Sequence, residues 1–251
     1  MTQVNRSHEL QRMARALRAH VDGLRLGGVT GVPVAPERAI DPEANERDVA
    51  WKEQQLAALT QEVQRCRACS LYRTRTHAVV GDGTLAARLV FIGEAPGRDE
   101  DLQGKPFVGA AGQLLNRMIV AMGLRRDQVY ICNVLKDRPP GNRTPLPEEM
   151  EACAPFLQRQ LEIIQPAVVC TLGAVATKAL LGAHLSIMKI RGEVRDFNGI
   201  PLVPTFHPAY LLRNPAAKKD AWKDLKRVKQ LLDQGDIREP EGGPHGASVD
   251  H

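Results

Sequence analysis

The segment Leu89-Val90-Phe91-Ile92-Gly93-Glu94-Ala95-Pro96-Gly97 joins four consecutive apolar residues to a glycine-rich loop. A helical pattern of apolar residues follows from Gly112 onward. Such a loop between a strand and a helix is where open α/β sheets place a ligand, because glycine lets the backbone approach it closely. Taken alone, the loop is equally consistent with a tight connection between a strand and a helix.

The residues after this loop add charge and an aromatic ring. Asp99, Glu100 and Asp101 follow it, and Phe107 stands alone within Pro106-Phe107-Val108-Gly109-Ala110-Ala111-Gly112. Carboxylates repel phosphate, so a simple phosphate cradle is disfavoured. Phe107 offers a flat face on which a ring can stack.

The chain beyond this segment alternates between two patterns. Apolar runs predict strands at 88–93, 129–135, 167–172 and 201–206, and helical spacing predicts helices at 112–122, 147–164, 173–181 and 216–233. Strands separated by helices predict a parallel sheet with helices on both faces. Asn198-Gly199 predicts a hairpin turn leading into the last strand.

Composition predicts one globular domain with extensions. The 251 residues carry a net charge of +5, compatible with nucleic-acid binding but also with an ordinary basic protein. No apolar run approaches the ~20 residues of a membrane span, and the first residues do not resemble a signal peptide, so we expect a cytoplasmic protein. We divide the chain into an N-terminal extension (1–46, with a short helix at 5–25 and a flexible linker at 26–46), a core domain (47–235) and a disordered tail (236–251).

Asn133 ends the second predicted strand and precedes a rigid basic loop. An Asn side chain donates and accepts, so it can read the edge of a nucleobase. The following Lys136-Asp137-Arg138-Pro139-Pro140-Gly141-Asn142-Arg143-Thr144-Pro145 carries three prolines and three basic residues suited to phosphates. An isolated Asn at such a position is also typical of a capped turn.

His207 follows the last predicted strand. A histidine there can stabilise an anion that develops on a leaving group, although a lone histidine is more often structural. The succeeding Tyr210, Leu211, Leu212 and Arg213 place apolar groups beside a cation. Such a segment can wedge into a duplex from which a base has been extruded.

The five cysteines do not suggest disulfides in a cytoplasmic protein. Cys66 and Cys69 form a C-x-x-C pair, and Cys153 and Cys170 follow. These residues can hold a metal or an iron–sulfur cluster, or they can be separate buried thiols. Cys132 lies inside a predicted strand.

Four motifs occur in one order along the chain: G-E-A-P-G, G-x-P-F-V-G-x-A-G-x-L-L, N-V-x-K-x-R-P-P-x-N-R-x-P and H-P-A-Y-L-L-R. Together they closely resemble those of the family-4 uracil-DNA glycosylases, which carry an iron–sulfur cluster. The resemblance extends from about residue 63 to about residue 232. It implies a three-layer α/β/α fold around a four-stranded parallel sheet. It also implies a monofunctional hydrolase that releases uracil from DNA and leaves an abasic site for base excision repair.

The resemblance implies a role for each matching residue. Phe107 stacks on the flipped uracil, Asn133 reads its edge, and His207 donates to its O2 as the base leaves. Glu94 and Glu100 shape the pocket and the water position, and Glu100 is our candidate for excluding thymine because Gly97 has no side chain. Ala95, Gly97, Asn142 and Arg143 complete the substrate site, and residues 210–213 contact DNA.

Two positions depart from related sequences. Family-1 enzymes use an Asp where this chain has Ala95, so a backbone carbonyl or another carboxylate must hold the attacking water. Most family-4 members carry a cysteine in K-C-R-P-P, where this chain has Asp137. The resemblance implies that Cys66, Cys69 and Cys153 are ligands of a 4Fe–4S cluster. Either Asp137 or Cys170 then supplies the fourth ligand, or the cluster is labile or absent.

Partners and an alternative function follow from the same resemblance. We expect a monomer that acts on single- or double-stranded uracil-containing DNA and has no membrane partner. The alternative is a non-catalytic or covalent DNA-lesion binder of the same superfamily. The covalent branch carries a reactive His in the loop after Asn133, and Arg138-Pro139-Pro140-Gly141-Asn142-Arg143 has none.

Overall fold

The computed structural model describes residues 42–182 and 184–236. Its centre is a six-stranded sheet in the order β1-β3-β2-β4-β6-β5. The strands are β1 (Asp82–Gly83), β2 (Leu89–Gly93), β3 (Tyr130–Asn133), β4 (Val168–Leu172), β5 (Arg195–Phe197) and β6 (Ile200–Thr205). The four central strands are parallel, as predicted, and the short β1 and β5 add antiparallel edges.

Helices cover both faces of the sheet, which gives the predicted three-layer α/β/α fold. The helices of the described residues are α1 (Pro42–Arg65), α2 (Arg98–Gln103), α3 (Ala110–Ala121), α4 (Pro147–Ile164), α5 (Ala174–Leu181), α6 (Ile187–Ile190), α7 (Pro208–Arg213) and α8 (Lys218–Asp236). Apolar residues of α3, α7 and α8 pack on one face, against Phe91, Ile131 and Cys170. Residues of α4 and α5 pack on the other face, against Val90 and Cys132.

The strand register brings the loops of interest to one edge. Gly93 pairs with Asn133, and Leu172 pairs with Thr205, at the carboxyl ends of adjacent parallel strands. The next residues along each strand therefore meet there, as expected for the ligand-binding edge of an α/β sheet. A buried network anchors the end of β6, since Asp224 accepts from the Thr205 hydroxyl at 2.8 Å and pairs with Arg191 at 2.7 Å.

The predicted strands and helices lie within a few residues of those observed. The hairpin is also confirmed, with Asn198 and Gly199 at φ 51° and 87° between β5 and β6. Strand β1 and the helices α2, α6 and α7 were not predicted, because none is long enough to display a period.

Few residues of the predicted N-terminal extension and C-terminal tail are among those that the structure describes. Helix α1 begins at Pro42, so residues 42–46 of the predicted linker are helical. The predicted helix 5–25 and residues 237–251 of the tail lie outside the described residues, and the domain boundaries stay predictions. Within 42–182 and 184–236, no helix combines the length and apolarity that a bilayer-spanning segment requires.

Candidate active site

Asn133 presents an unpaired oxygen at the end of β3. The residue is 1% exposed, and its Oδ1 is the one buried side-chain oxygen or nitrogen in the described residues without a hydrogen-bond partner. Such an atom is unfavourable unless a ligand or water satisfies it. The oxygen therefore indicates a site that accepts a hydrogen bond from a bound group.

Phe107 lies beside this oxygen across Gly93. A Cβ on Gly93 would overlap Asn133 Oδ1 and lie 2.6 Å from Cζ of Phe107, so only glycine fits between them. The Phe107 ring is also 5.7 Å from the His207 ring, centroid to centroid, at an interplanar angle of 33°. Asn133, Phe107 and His207 are thus brought together as predicted from their motifs.

His207 caps the N-terminus of α7. Its Nδ1 accepts a hydrogen bond from the backbone N–H of Ala209 at 3.1 Å, so a neutral ring carries its proton on Nε2. Burial, with a smaller effect of Arg213, lowers the pKa of His207 to about 4. Gly173 permits this position, because a Cβ there would lie 2.8 Å from Cβ of His207. The side chain is therefore a neutral N–H donor at pH 7.

The two predicted carboxylates differ in what they contact. Glu100 accepts hydrogen bonds from the backbone N–H groups of Gly97 (3.1 Å), Val108 (2.9 Å) and Gly109 (3.0 Å). It thus joins the first loop to the segment that carries Phe107. Glu94 is half-buried, and burial raises its pKa. Of the two, Glu94 has the carboxylate that is not committed to backbone donors.

The other predicted substrate residues have separate surroundings. Ala95 packs against the apolar cluster formed by Leu71, Leu135 and Cys153. Asn142 is exposed and accepts from Arg138 at 2.7 Å, and Arg143 makes a two-fold ion pair with Glu149. These hydrogen bonds tie Asn142 and Arg143 to their own loop and to α4.

Lys136 is not a phosphate contact, contrary to the prediction for the basic loop. It is 1% exposed, and its ammonium donates to the backbone carbonyl of Asn133 (2.6 Å) and to Gln160 Oε1 (2.5 Å). Gln160 in turn donates to the Tyr130 hydroxyl at 3.0 Å. These buried hydrogen bonds fix the backbone at Asn133.

The predicted DNA-contacting segment is divided by burial. Leu212 and Arg213 are exposed, Tyr210 is half-buried against Phe206, and Leu211 is 1% exposed within the core. Leu211 therefore anchors α7, and only its neighbours face outward.

Three of the predicted cluster ligands share one pocket. Cys66, Cys69 and Cys153 line this pocket together with Asp137 and Arg75. Burial raises the pKa of the Cys69 thiol and raises that of Cys153 to about 11. The thiols are free, and in the described part of the chain no three His, Cys, Asp or Glu side chains already stand in a ligating arrangement.

The two candidates for a fourth ligand are separated by the sheet. Cys170 belongs to the core on the α3 and α8 side and does not line the pocket, so the structure does not bring it to the other cysteines. Asp137 does line it, but both its oxygens accept from Nη1 of Arg75, at 2.9 and 2.8 Å. The residue types fit an iron–sulfur group at three positions, and the fourth is an ion-paired carboxylate.

Comparison with known proteins places this arrangement in a family. The family model described as the uracil DNA glycosylase superfamily matches residues 80–226. A type-4 uracil-DNA glycosylase of Thermotoga maritima is 46% identical over 185 residues, which is 72% of this chain and 96% of the relative. The chain belongs to the type-4 uracil-DNA glycosylase family. Type-4 uracil-DNA glycosylases of Archaeoglobus fulgidus (43% identical, 69% of this chain and 91% of the relative) and Sulfurisphaera tokodaii (45%, 70% and 84%) are also similar.

The motifs of this type-4 chain did not reveal every residue that supports the site. Arg126 donates to the carbonyls around Phe107, and Lys136 donates to the carbonyl of Asn133. The spacing of Lys136 after Asn133 was visible in the sequence, but its burial was not. Arg126 belongs to none of the four motifs and gave no signal.

We predict that His207 stays neutral across the physiological pH range. Its ring resonances in an NMR titration, assigned with His207→Gln, should have a midpoint near pH 4 because desolvation disfavours the imidazolium. The unfolded chain takes up this proton first, so the free energy of unfolding should decrease as pH falls from about 6.5 toward 4, and less steeply in the variant. A midpoint near 6.5, the ordinary value for histidine, would contradict the proposed neutral donor.

Proposed function

We propose that this protein hydrolyses the N-glycosidic bond of deoxyuridine in DNA, releasing uracil and leaving an abasic site for base excision repair. Membership in the type-4 family supports this reaction. The observation that carries it is the unpaired Asn133 Oδ1, buried beside Phe107, which in turn lies against His207.

Asn133 is proposed to read the Watson–Crick edge of an extruded uracil. That edge presents an N3–H donor beside the O4 carbonyl. Asn133 Oδ1 would accept the N3–H, and its amide would donate to O4. Among residues 42–182 and 184–236, Oδ1 has no hydrogen-bond partner, and this supports the role because the ligand then supplies the missing hydrogen bond.

His207 is proposed to stabilise the departing base. As the glycosidic bond breaks, negative charge develops on uracil, and a donor at O2 lowers the barrier. A neutral His207 with its Nδ1 held by Ala209 is suited to donate from Nε2. It stabilises the uracil anion without transferring a proton to it.

Phe107 and the two glutamates are proposed to complete the pocket. The Phe107 ring would stack on the uracil. Glu94 is our candidate for orienting the attacking water, since Ala95 has no polar group and Glu100 is committed to three backbone donors. Glu100 would instead hold the loop rigid and thereby help to exclude the methyl group of thymine.

The exposed end of α7 is proposed to contact DNA. Leu212 would fill the space left by the extruded base, and Arg213 would meet a phosphate, while Tyr210 supports them from the half-buried side. The net charge of +5 favours association with the DNA backbone, single- or double-stranded. We propose that the protein acts as a monomer.

Base release from an oligonucleotide containing one deoxyuridine tests the function. Purified protein should release free uracil and make the strand cleavable by alkali. His207→Ala and Asn133→Ala should each lower the single-turnover rate about 100-fold or more, because each removes a donor aimed at the leaving base.

The exposed His184 provides a matched control, and His184→Ala should leave the rate unchanged. Binding of the oligonucleotide without base release, on both single and double strands, would favour the non-catalytic lesion binder. Unchanged rates in both pocket variants would contradict the residue assignments.

We further propose that Cys66, Cys69 and Cys153 hold a 4Fe–4S cluster, with Asp137 beside its fourth position. The shared pocket and the family resemblance support the three thiolates. When bound, the cluster would connect the segment that follows α1 to helix α4. Because Arg75 occupies both oxygens of Asp137, we expect this cluster to be held less tightly than one with four thiolates.

Iron and acid-labile sulfide in freshly purified protein test this assignment without reference to activity. Cys153→Ser should abolish the cluster, and Asp137→Cys should raise the iron retained per chain by supplying a fourth thiolate. Cys170→Ser is the matched control and should leave the iron content unchanged, because Cys170 faces the other side of the sheet. Loss of iron in the Cys170 variant would overturn the ligand assignment.

A further inference from the structure

The backbone of Phe107 is held in an unusual conformation. Its φ is 53°, in the left-handed region that residues other than glycine seldom occupy. Phe107 is also 6% exposed, so the conformation is fixed inside the protein and not at a free loop tip. Such a strained residue persists only where the surrounding structure holds it, which directs attention to the groups on either side.

Arg126 grips the segment from its carbonyl side. One terminal nitrogen of the guanidinium donates to the Pro106 carbonyl at 2.7 Å, and the other donates to the Phe107 carbonyl at 3.3 Å. Glu100 grips the same segment from its N–H side, at Val108 and Gly109. The residue with positive φ is thus bracketed by two charged side chains of opposite sign.

The guanidinium is itself held in place on its remaining sides. Asp82 in β1 accepts from Nε (3.3 Å) and from a terminal nitrogen (3.2 Å), and Asn116 in α3 accepts at 2.9 Å. Every nitrogen of Arg126 therefore has a partner within the protein. The Arg126 side chain is only 25% exposed, so its guanidinium serves contacts within the protein and not a contact with phosphate.

We propose that Arg126, braced by Asp82 and Asn116, is a positioning residue that orients the Phe107 ring for stacking on the base. The planar fork of arginine contacts two successive carbonyls at once, which a lysine ammonium at the same place does not reproduce. The orientation of Phe107 is thereby linked to β1 and to the turn preceding β3, the strand that carries Asn133. The effect on uracil rests on the proposed function, whereas the effect on the Phe107 ring does not.

A double-mutant cycle on the affinity for free uracil tests how Arg126 acts. Arg126→Met should weaken inhibition of base excision by free uracil about ten-fold, and Arg126→Lys should restore part of it. In a Phe107→Ala background, Arg126→Met should change the inhibition constant by less than two-fold, because its effect passes through the missing ring. Equal effects in both backgrounds, or no effect on uracil affinity, would overturn the proposal.

Arg125→Met is the matched control. Arg125 is adjacent in sequence and pairs with Asp127 at 3.0 Å on the surface, so its loss should leave uracil affinity unchanged. Thermal unfolding of all variants identifies the temperature range in which each one is folded, and the affinities are compared within that range.

A second readout separates this proposal from the proposed function. With 4-fluorophenylalanine incorporated, the ¹⁹F resonance of position 107, assigned with Phe107→Leu, should shift and broaden in Arg126→Met but not in Arg125→Met. If the wild type neither releases nor binds uracil but the resonance still changes in Arg126→Met, the proposed function is wrong and the positioning of Phe107 by Arg126 is supported. An unchanged resonance in Arg126→Met would refute this positioning whatever the activity.

Discussion

The proposed pocket depends on the absence of a side chain at Gly93. Parallel pairing of β2 with β3 sets Gly93 beside Asn133, and the space that a Cβ would fill is occupied by the Asn133 oxygen and the Phe107 ring. A buried, unpaired carbonyl oxygen is unfavourable in an empty protein. A bound base that donates an N–H to this oxygen would remove that cost. The pairing of Gly93 with Asn133 therefore provides both the space for the Phe107 ring and the oxygen proposed to recognise the base.

Around that point, several charged side chains hold the backbone in place, and the proposed contacts with the base come from neutral groups. Glu100 and Arg126 bracket Phe107, Lys136 holds the carbonyl of Asn133, and Asp224 anchors the end of β6 before His207. The groups proposed to face uracil are an amide, a neutral imidazole and an aromatic ring. Such a site can recognise a neutral base and then stabilise the anion it becomes.

The sequence was sufficient to predict the parallel strands and the proximity of Asn133, Phe107 and His207, because apolar runs and motif order carry that information. It did not reveal Arg126, whose role depends on a two-residue strand with no periodicity. It also left Cys170 open as a ligand, since alternation along β4 does not say which face α4 covers. The burial of Lys136 and Leu211 likewise depends on packing between segments distant in the chain.

The central claim is that Asn133 accepts the N3–H of uracil, and calorimetric binding of three small molecules tests it most directly. Uracil and 1-methyluracil keep this N–H, and the methyl group of 1-methyluracil occupies the position of the sugar. Both should bind, whereas 3-methyluracil, which lacks the donor, should not bind measurably. Binding of 3-methyluracil as tight as that of uracil would contradict the account, because the Asn133 oxygen would then have no partner in the complex.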